Sequence, residues 1–220
     1  MIAKAGHYEP ICREAYPYVA PTAVLAFIFW LVQQPWIALV FVLVTLAVAL
    51  FFRNPKRTSP TRDGIVLAPA DGIVVHLDER VSAPSLEGIS FTRVSIFMSV
   101  LDVHVNRSPV SGRVERVRRT SGGFLDARNW RASWVNERNS LILDTDHGTM
   151  EVVQVAGKIA RRISCWVKAE DEVGMGERFG LIHFGSRLDV YLPSDYSATV
   201  RIGSRVVAGV TPIAETDAAG

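Results

Sequence analysis

The chain has 220 residues, 49% of them hydrophobic, and 24 Lys and Arg against 22 Asp and Glu, for a formal net charge of +2. That balance says little by itself, but no aromatic interleaving or nucleic-acid motif accompanies the arginines, which disfavours nucleic acid as a partner. The two cysteines, Cys12 and Cys165, supply neither a disulfide framework nor a cysteine metal site.

The apolar excess lies between Tyr16 and Phe52. "AYPYVAPTAVLAFIFWLV" (15–32) and "WIALVFVLVTLAVALFF" (36–52) contain no charged residue and are joined by "QQP" (33–35). Each is close to the shortest length that spans a bilayer. The pair predicts a transmembrane helical hairpin turning at Pro35, with Tyr16, Tyr18 and Trp36 as interfacial anchors. Lys4 and Arg13 precede it, Arg53, Lys56 and Arg57 follow it, and the connection is uncharged. The excess of positive charge at the outer ends places both ends, and the domain that follows, on the cytoplasmic side of the inner membrane. A signal peptide would need a small-residue cleavage site, which "LVQQPW" does not supply. One long kinked span would put the domain on the other side.

"RNPKRTSPTRD" (53–63) is polar, basic and proline-containing, and reads as a linker at the membrane surface. Residues 64–213 then alternate Val/Ile-rich runs with Gly, Pro and Asp turns. They predict a β-rich domain: a mainly antiparallel sandwich or open barrel, barrel-sandwich-like. Trp130–Asn136 reads as a short helix or a loop, and 214–220 as a frayed tail. The unit P-x-D/S-G-x-V occurs at Pro69–Val74 and again at Pro109–Val114, as if two related turns formed a pseudo-symmetric pair. Arg113, Arg116, Arg118 and Arg119 make a solvated strand face or meet anionic headgroups.

Late in the chain, "GLIHFGSRLDVYLP" (180–193) alternates as a strand, with Ile182, Phe184, Ser186, Leu188, Val190 and Leu192 on one face. Gly185 and Ser186 interrupt that apolar face. Gly-Ser in a strained backbone permits an N-to-O acyl shift onto the serine hydroxyl, then β-elimination and hydrolysis to a pyruvoyl group. A β-bulge or a satisfied strand serine explains the same dipeptide. Asp71, in "APADG", either caps its turn or orients a general base. His104, in "DVHVNRSPVSG", faces away from Val103 and Val105, either to solvent or into a cleft where it could move a proton. His183 faces away from Ser186 and reads as structural or supporting. No Walker loop, no GxGxxG after a strand and no HExxH is present.

An apolar N-terminal anchor, "PADG", "DVHVNRSPVSG" and "FGSR.DVYLP" occur in this order. Together they resemble the short form of the phosphatidylserine decarboxylase proenzymes, which depend on a pyruvoyl group. The resemblance implies self-cleavage at Gly185–Ser186, giving a β chain (1–185) and an α chain (186–220) that remain associated. Ser186 then carries the pyruvoyl, with no metal and no pyridoxal phosphate. The pyruvoyl carbonyl would form a Schiff base with the serine amine of phosphatidylserine in the membrane. Carbon dioxide would leave, His104 would return a proton, and phosphatidylethanolamine would be released. Asp71 and His104 match the family's aspartate and histidine. Two departures stand out. Phe-Gly-Ser-Arg replaces Leu-Gly-Ser-Thr of the longer members. Arg107 takes the place of their second histidine, which makes it a candidate for the substrate's phosphate or carboxylate. Other readings are a membrane-tethered carrier module of the lipoyl or biotinyl kind, which would stay uncut, or a pyruvoyl decarboxylase of another serine-headgroup lipid or a free amino acid. Lys158 follows Gly157 but lacks the Met-Lys context of a carrier lysine.

Overall fold

The computed structural model describes residues 9–86, 88–158, 162–183 and 185–216. The chain divides into two compact units, one ending at Lys56 and the other beginning at Arg57.

In the first unit, a 3-10 turn (Arg13–Ala15) leads into α1 (Tyr16–Leu31), and α2 (Pro35–Phe51) returns beside it. Pro35 sits in the first turn of α2, where its missing N–H costs no helical hydrogen bond. Gln33 makes the reversal with a φ of 58°. The Thr22 and Thr45 hydroxyls are 2.9 Å apart, and Phe29 stacks on Phe41 at 5.5 Å. The hairpin's two ends are clasped: the Cys12 amide donates to the Phe52 carbonyl at 2.9 Å and the Asn54 amide to Pro10 at 2.7 Å. By length and composition, Arg13–Leu31 is long and apolar enough to cross a membrane, while Pro35–Phe51 is shorter at 17 residues.

The second unit is built almost wholly of antiparallel strands. Among the described residues, the largest sheet has the order β13 (Arg205–Val206), β2 (Gly72–Val81), β3 (Phe91–Met98), β11 (Ser186–Leu192), β7 (Gly148–Val155), β6 (Arg138–Thr145), β5 (Gly112–Thr120) and β9 (Glu172–Val173). It curls into an open half-barrel. Two small sheets accompany it: β4 (Val105–Arg107), β10 (Arg178–Ile182) and β8 (Ile163–Cys165); and β1 (Ile65–Leu67), β14 (Pro212–Thr216) and β12 (Tyr196–Ala198). Alternation along the strands sends Val94, Ile96, Leu141, Val152, Leu188 and Val190 into one core with Phe179 and Ile213. The predicted β-rich, mainly antiparallel architecture is therefore the one observed.

The two P-x-D/S-G-x-V turns clasp each other symmetrically. The Leu67 amide donates to Pro109 and the Arg107 amide to Pro69, each at 2.9 Å. Gly209 donates to Ala68 at 2.7 Å, and Gly176 donates to Ser108 at 2.8 Å. The Ala208 amide is capped by Asp71 at 2.8 Å and the Met175 amide by Ser111 at 2.9 Å. The outer strands repeat the relation, β13 pairing with β2 as β9 pairs with β5.

Some sequence expectations change. The run from Ile182 to Leu192 is two strands, not one: β10 ends at Ile182, β11 begins at Ser186, and they belong to different sheets. Gly185 lies between them with φ at +65°, a left-handed conformation that breaks strand alternation. Residues 214–216 are not part of a frayed tail, because β14 pairs with both β1 and β12 through Thr216; residues 217–220 lie outside the described residues. Within 53–63, Arg57 and Ser59 are anchored to the β-rich unit, Arg57 on Asp71 and Ser59 on the Gly209 carbonyl at 2.7 Å. Within Trp130–Asn136, α3 (Ala132–Val135) is a short helix. The arginines of β5 are a solvated face, on which Arg113 pairs with Glu170 and Arg119 with Glu137.

Candidate active site

Ser186 opens β11, opposite Met98 of β3, and is fully buried. Its Oγ has no hydrogen-bond partner among the described residues. An orphaned hydroxyl in a core is costly, so its retention needs a chemical reason. The carbonyl of Gly185, immediately before it, is approached closely by backbone. A β-carbon on Gly157 would lie 2.2 Å from that oxygen, so only glycine fits there. Beside Gly185 opens a cleft of about 370 Å³ lined by Phe97, Val100, Ala127, Arg128 and Lys158, among others. Asp126 on its wall is held down to about 2 by side-chain and backbone hydrogen bonds from Arg128, with Lys158 adding to the effect.

His104 precedes β4 by one residue. Val105 pairs with Leu181, so His104 sits at the end of β4 from which β10 runs on toward Gly185. The ring is fully buried, and Nδ1 lies 2.9 Å from the Asp102 carbonyl. A carbonyl oxygen only accepts, so Nδ1 carries the proton and, in the neutral ring, Nε2 is the basic nitrogen. Asp102 is itself fixed. Its carboxylate accepts from the Ser99 amide at 2.8 Å, the Ser99 hydroxyl at 2.7 Å and Arg205 at 2.6 Å. The sequence reading passed over Asp102, although the short "D-x-H" spacing carries it.

Asp71 does not orient His104. Its carboxylate accepts two bonds from Arg57, at 2.6 and 2.7 Å, and one from the Ala208 amide. Arg107 does not line the cleft. It is buried at the junction of the paired turns and donates to the Gly176 carbonyl at 3.0 Å. His183 is buried, with Nε2 3.5 Å from the Ser164 hydroxyl.

The residue after Ser186 is the larger omission. Arg187 and Asp189 are both 0% exposed and pair at 2.8 Å. Arg187 also donates to the Ala127 and Asn129 carbonyls at 2.8 Å and to the Ser133 hydroxyl, while Ser133 donates to Asp189 at 2.7 Å. Arg93 reaches the same serine at 3.0 Å. Burial works against the Asp189 charge, but Arg187, Ser133 and Arg93 outweigh it and hold the carboxyl below its ordinary range. Arg187 thus ties the strand that starts at Ser186 to the 127–133 segment, whose Ala127 and Arg128 line the cleft. Arg and Asp two apart on one face of an apolar strand were the available signal.

The sequence profile of the family described as phosphatidylserine decarboxylase matches residues 44–214. The chain belongs to that family. It is a decarboxylase of the carboxy-lyase class, and phosphatidylserine is the substrate consistent with it. For a phosphatidylserine decarboxylase, the match spans the Asp71 turn, His104 and the Gly185–Ser186 junction in one stretch.

Proposed function

We propose that this phosphatidylserine decarboxylase makes its own pyruvoyl cofactor by cutting Gly185–Ser186. Ser186 Oγ attacks the Gly185 carbonyl carbon, the C–N bond breaks, and an ester joins the two residues. Loss of the Ser186 α-proton then expels the Gly185 carboxylate and leaves dehydroalanine. Water hydrolyses that residue, releasing ammonia, to a pyruvoyl at the head of the α chain (186–220), which stays paired with the β chain (1–185). The observation that carries the reading is the buried Ser186 hydroxyl, without a partner among the described residues, directly after a left-handed glycine between two sheets. The same burial fits a pyruvoyl group at this position. When present, that group supplies the electron sink for the charge left as carbon dioxide departs.

His104 moves protons through Nε2, because Nδ1 is committed to Asp102. The 127–133 wall, clamped by Arg187, keeps the cleft shaped around the new chain end. Asp71 contributes through Arg57 and the Ala208 turn. The apolar hairpin anchors the enzyme in the inner membrane, with the β-rich unit on the cytoplasmic side where the flanking arginines and lysines point. A two-chain lipid stays in the bilayer, so its enzyme must work at that surface.

Denatured intact mass tests the reading. Two chains meeting at 185/186 are expected, the smaller lighter by one ammonia than a serine-started peptide, and Ser186→Ala should remain a single chain. An uncut parent chain in a folded preparation would overturn self-processing and leave a tethered binding module.

A further inference from the structure

The rim of the cleft at Gly185 is apolar in an unusual way. The β3–β4 loop exposes Leu101 at 83% and Val100 at 50%. This is not a loosely held loop. Asp102, itself buried, braces the Ser99–Asp102 turn through the Ser99 amide and hydroxyl. A turn built to hold two aliphatic side chains in the open needs something to cover them. The surface continues across the sheet edge. Ile73 pairs with Phe97 on one side and Arg205 on the other, so the three share a face, and Phe97 lines the cleft. Arg205 ties its strand to the loop through Asp102 at 2.6 Å, and Ile202 is 63% exposed on the turn just before it. Charged side chains border the patch: Arg128, paired with Asp126 at 2.7 Å, lies over the Phe97 ring at 5.6 Å, and Lys158 lines the cleft.

We propose that this rim docks on an anionic lipid bilayer. Val100 and Leu101 enter the acyl boundary, Arg128, Lys158 and Arg205 meet the headgroups, and the cleft opens onto the lipid surface. Apolar tips beside an exposed lysine and two arginines, Arg128 at 65% and Arg205 at 68% side-chain exposure, are the pattern of interfacial insertion, and their place on the rim of a cleft read as taking a lipid favours a bilayer over a protein partner. The inference rests on Gly185 and Ser186 being the reaction site for a lipid, and it adds which loop meets the membrane.

The test uses the full chain reconstituted in phosphatidylcholine vesicles with and without phosphatidylglycerol. An environment-sensitive fluorophore is placed at Leu101→Cys in a Cys12→Ser, Cys165→Ser background, with Glu115→Cys as the exposed control on β5. Acyl-brominated phosphatidylcholine should quench the Leu101 label and not the control, and more strongly with phosphatidylglycerol present. Equal quenching at both sites, or disulfide crosslinking of Leu101→Cys between two copies in place of quenching, would overturn the proposal. Leu101→Asp should then lower turnover of vesicle phosphatidylserine about tenfold, leaving chain cleavage and turnover of a dispersed short-chain phosphatidylserine unchanged. An equal loss on both substrates would assign Leu101 to the cleft and also overturn it. If the parent chain is uncut and inactive but the Leu101 label is quenched, self-processing fails and the docking surface stands.

Discussion

Asp71 and Asp189 each pair with an arginine, yet they are placed by opposite means. Asp71 belongs to a turn, and its twin in the other half of the unit is Ser111, which caps the Met175 amide as Asp71 caps Ala208. A hydroxyl therefore suffices for the cap, and what distinguishes Asp71 is its charge toward Arg57. Asp189 is not a turn residue. It sits in the middle of β11 with Arg187, both fully buried, where the cost of removing charge from water is largest. One aspartate is a turn residue with an ion pair added; the other exists only as half of a buried clamp.

The sharpest way to break this comparison is to orphan the buried charge. Arg187→Met leaves Asp189 unpaired and should cost about 3–5 kcal/mol, lowering the melting temperature of the full chain in detergent by about 10 °C. The double variant Arg187→Met, Asp189→Leu should recover most of that loss. If Arg187→Met alone melts like the parent, the clamp is not a unit.

Acid comes next. Asp189 has a folded pKa below its unfolded value, so its contribution is complete above the ordinary carboxylate range and is lost as pH falls through the lower folded value. Melting temperatures measured from neutral pH downward should fall less steeply at the acid end for the double variant than for the parent.

Asp71→Ser is a smaller perturbation of stability, about 1–3 kcal/mol, because the cap on Ala208 survives while Arg57 loses its carboxylate. Chain cleavage followed by gel electrophoresis should nevertheless slow. An unchanged rate would reduce Asp71 to the same role as Ser111. The smallest effect belongs to Ser111→Ala, about 1 kcal/mol for one lost cap, with normal chain cleavage.

Local patterns were legible wherever one short stretch carries the signal. The two turns announced themselves through proline, glycine and a capping side chain at fixed spacing, and their pairing follows from their likeness. The apolar hairpin needed only uncharged length and a proline. The Gly-Ser interruption was visible, but its setting was not: alternation continues past it in sequence, and only the positive φ of Gly185 reveals that the chain changes sheets there.

What the sequence by itself determined is the order of elements, the β-rich class and the identity of Ser186, His104 and Asp71 as the residues to examine. The first two rest on periodicity and turn chemistry, properties of neighbouring residues, and the three site residues on the ordered motifs that resemble a known family. Only the tertiary structure decided that Asp71 answers to Arg57 instead of His104, that Arg107 packs under the turns, and that Arg187 clamps the cleft wall. Each depends on which distant segment lies across a sheet, and a buried charge declares its partner only when the chain has closed around both.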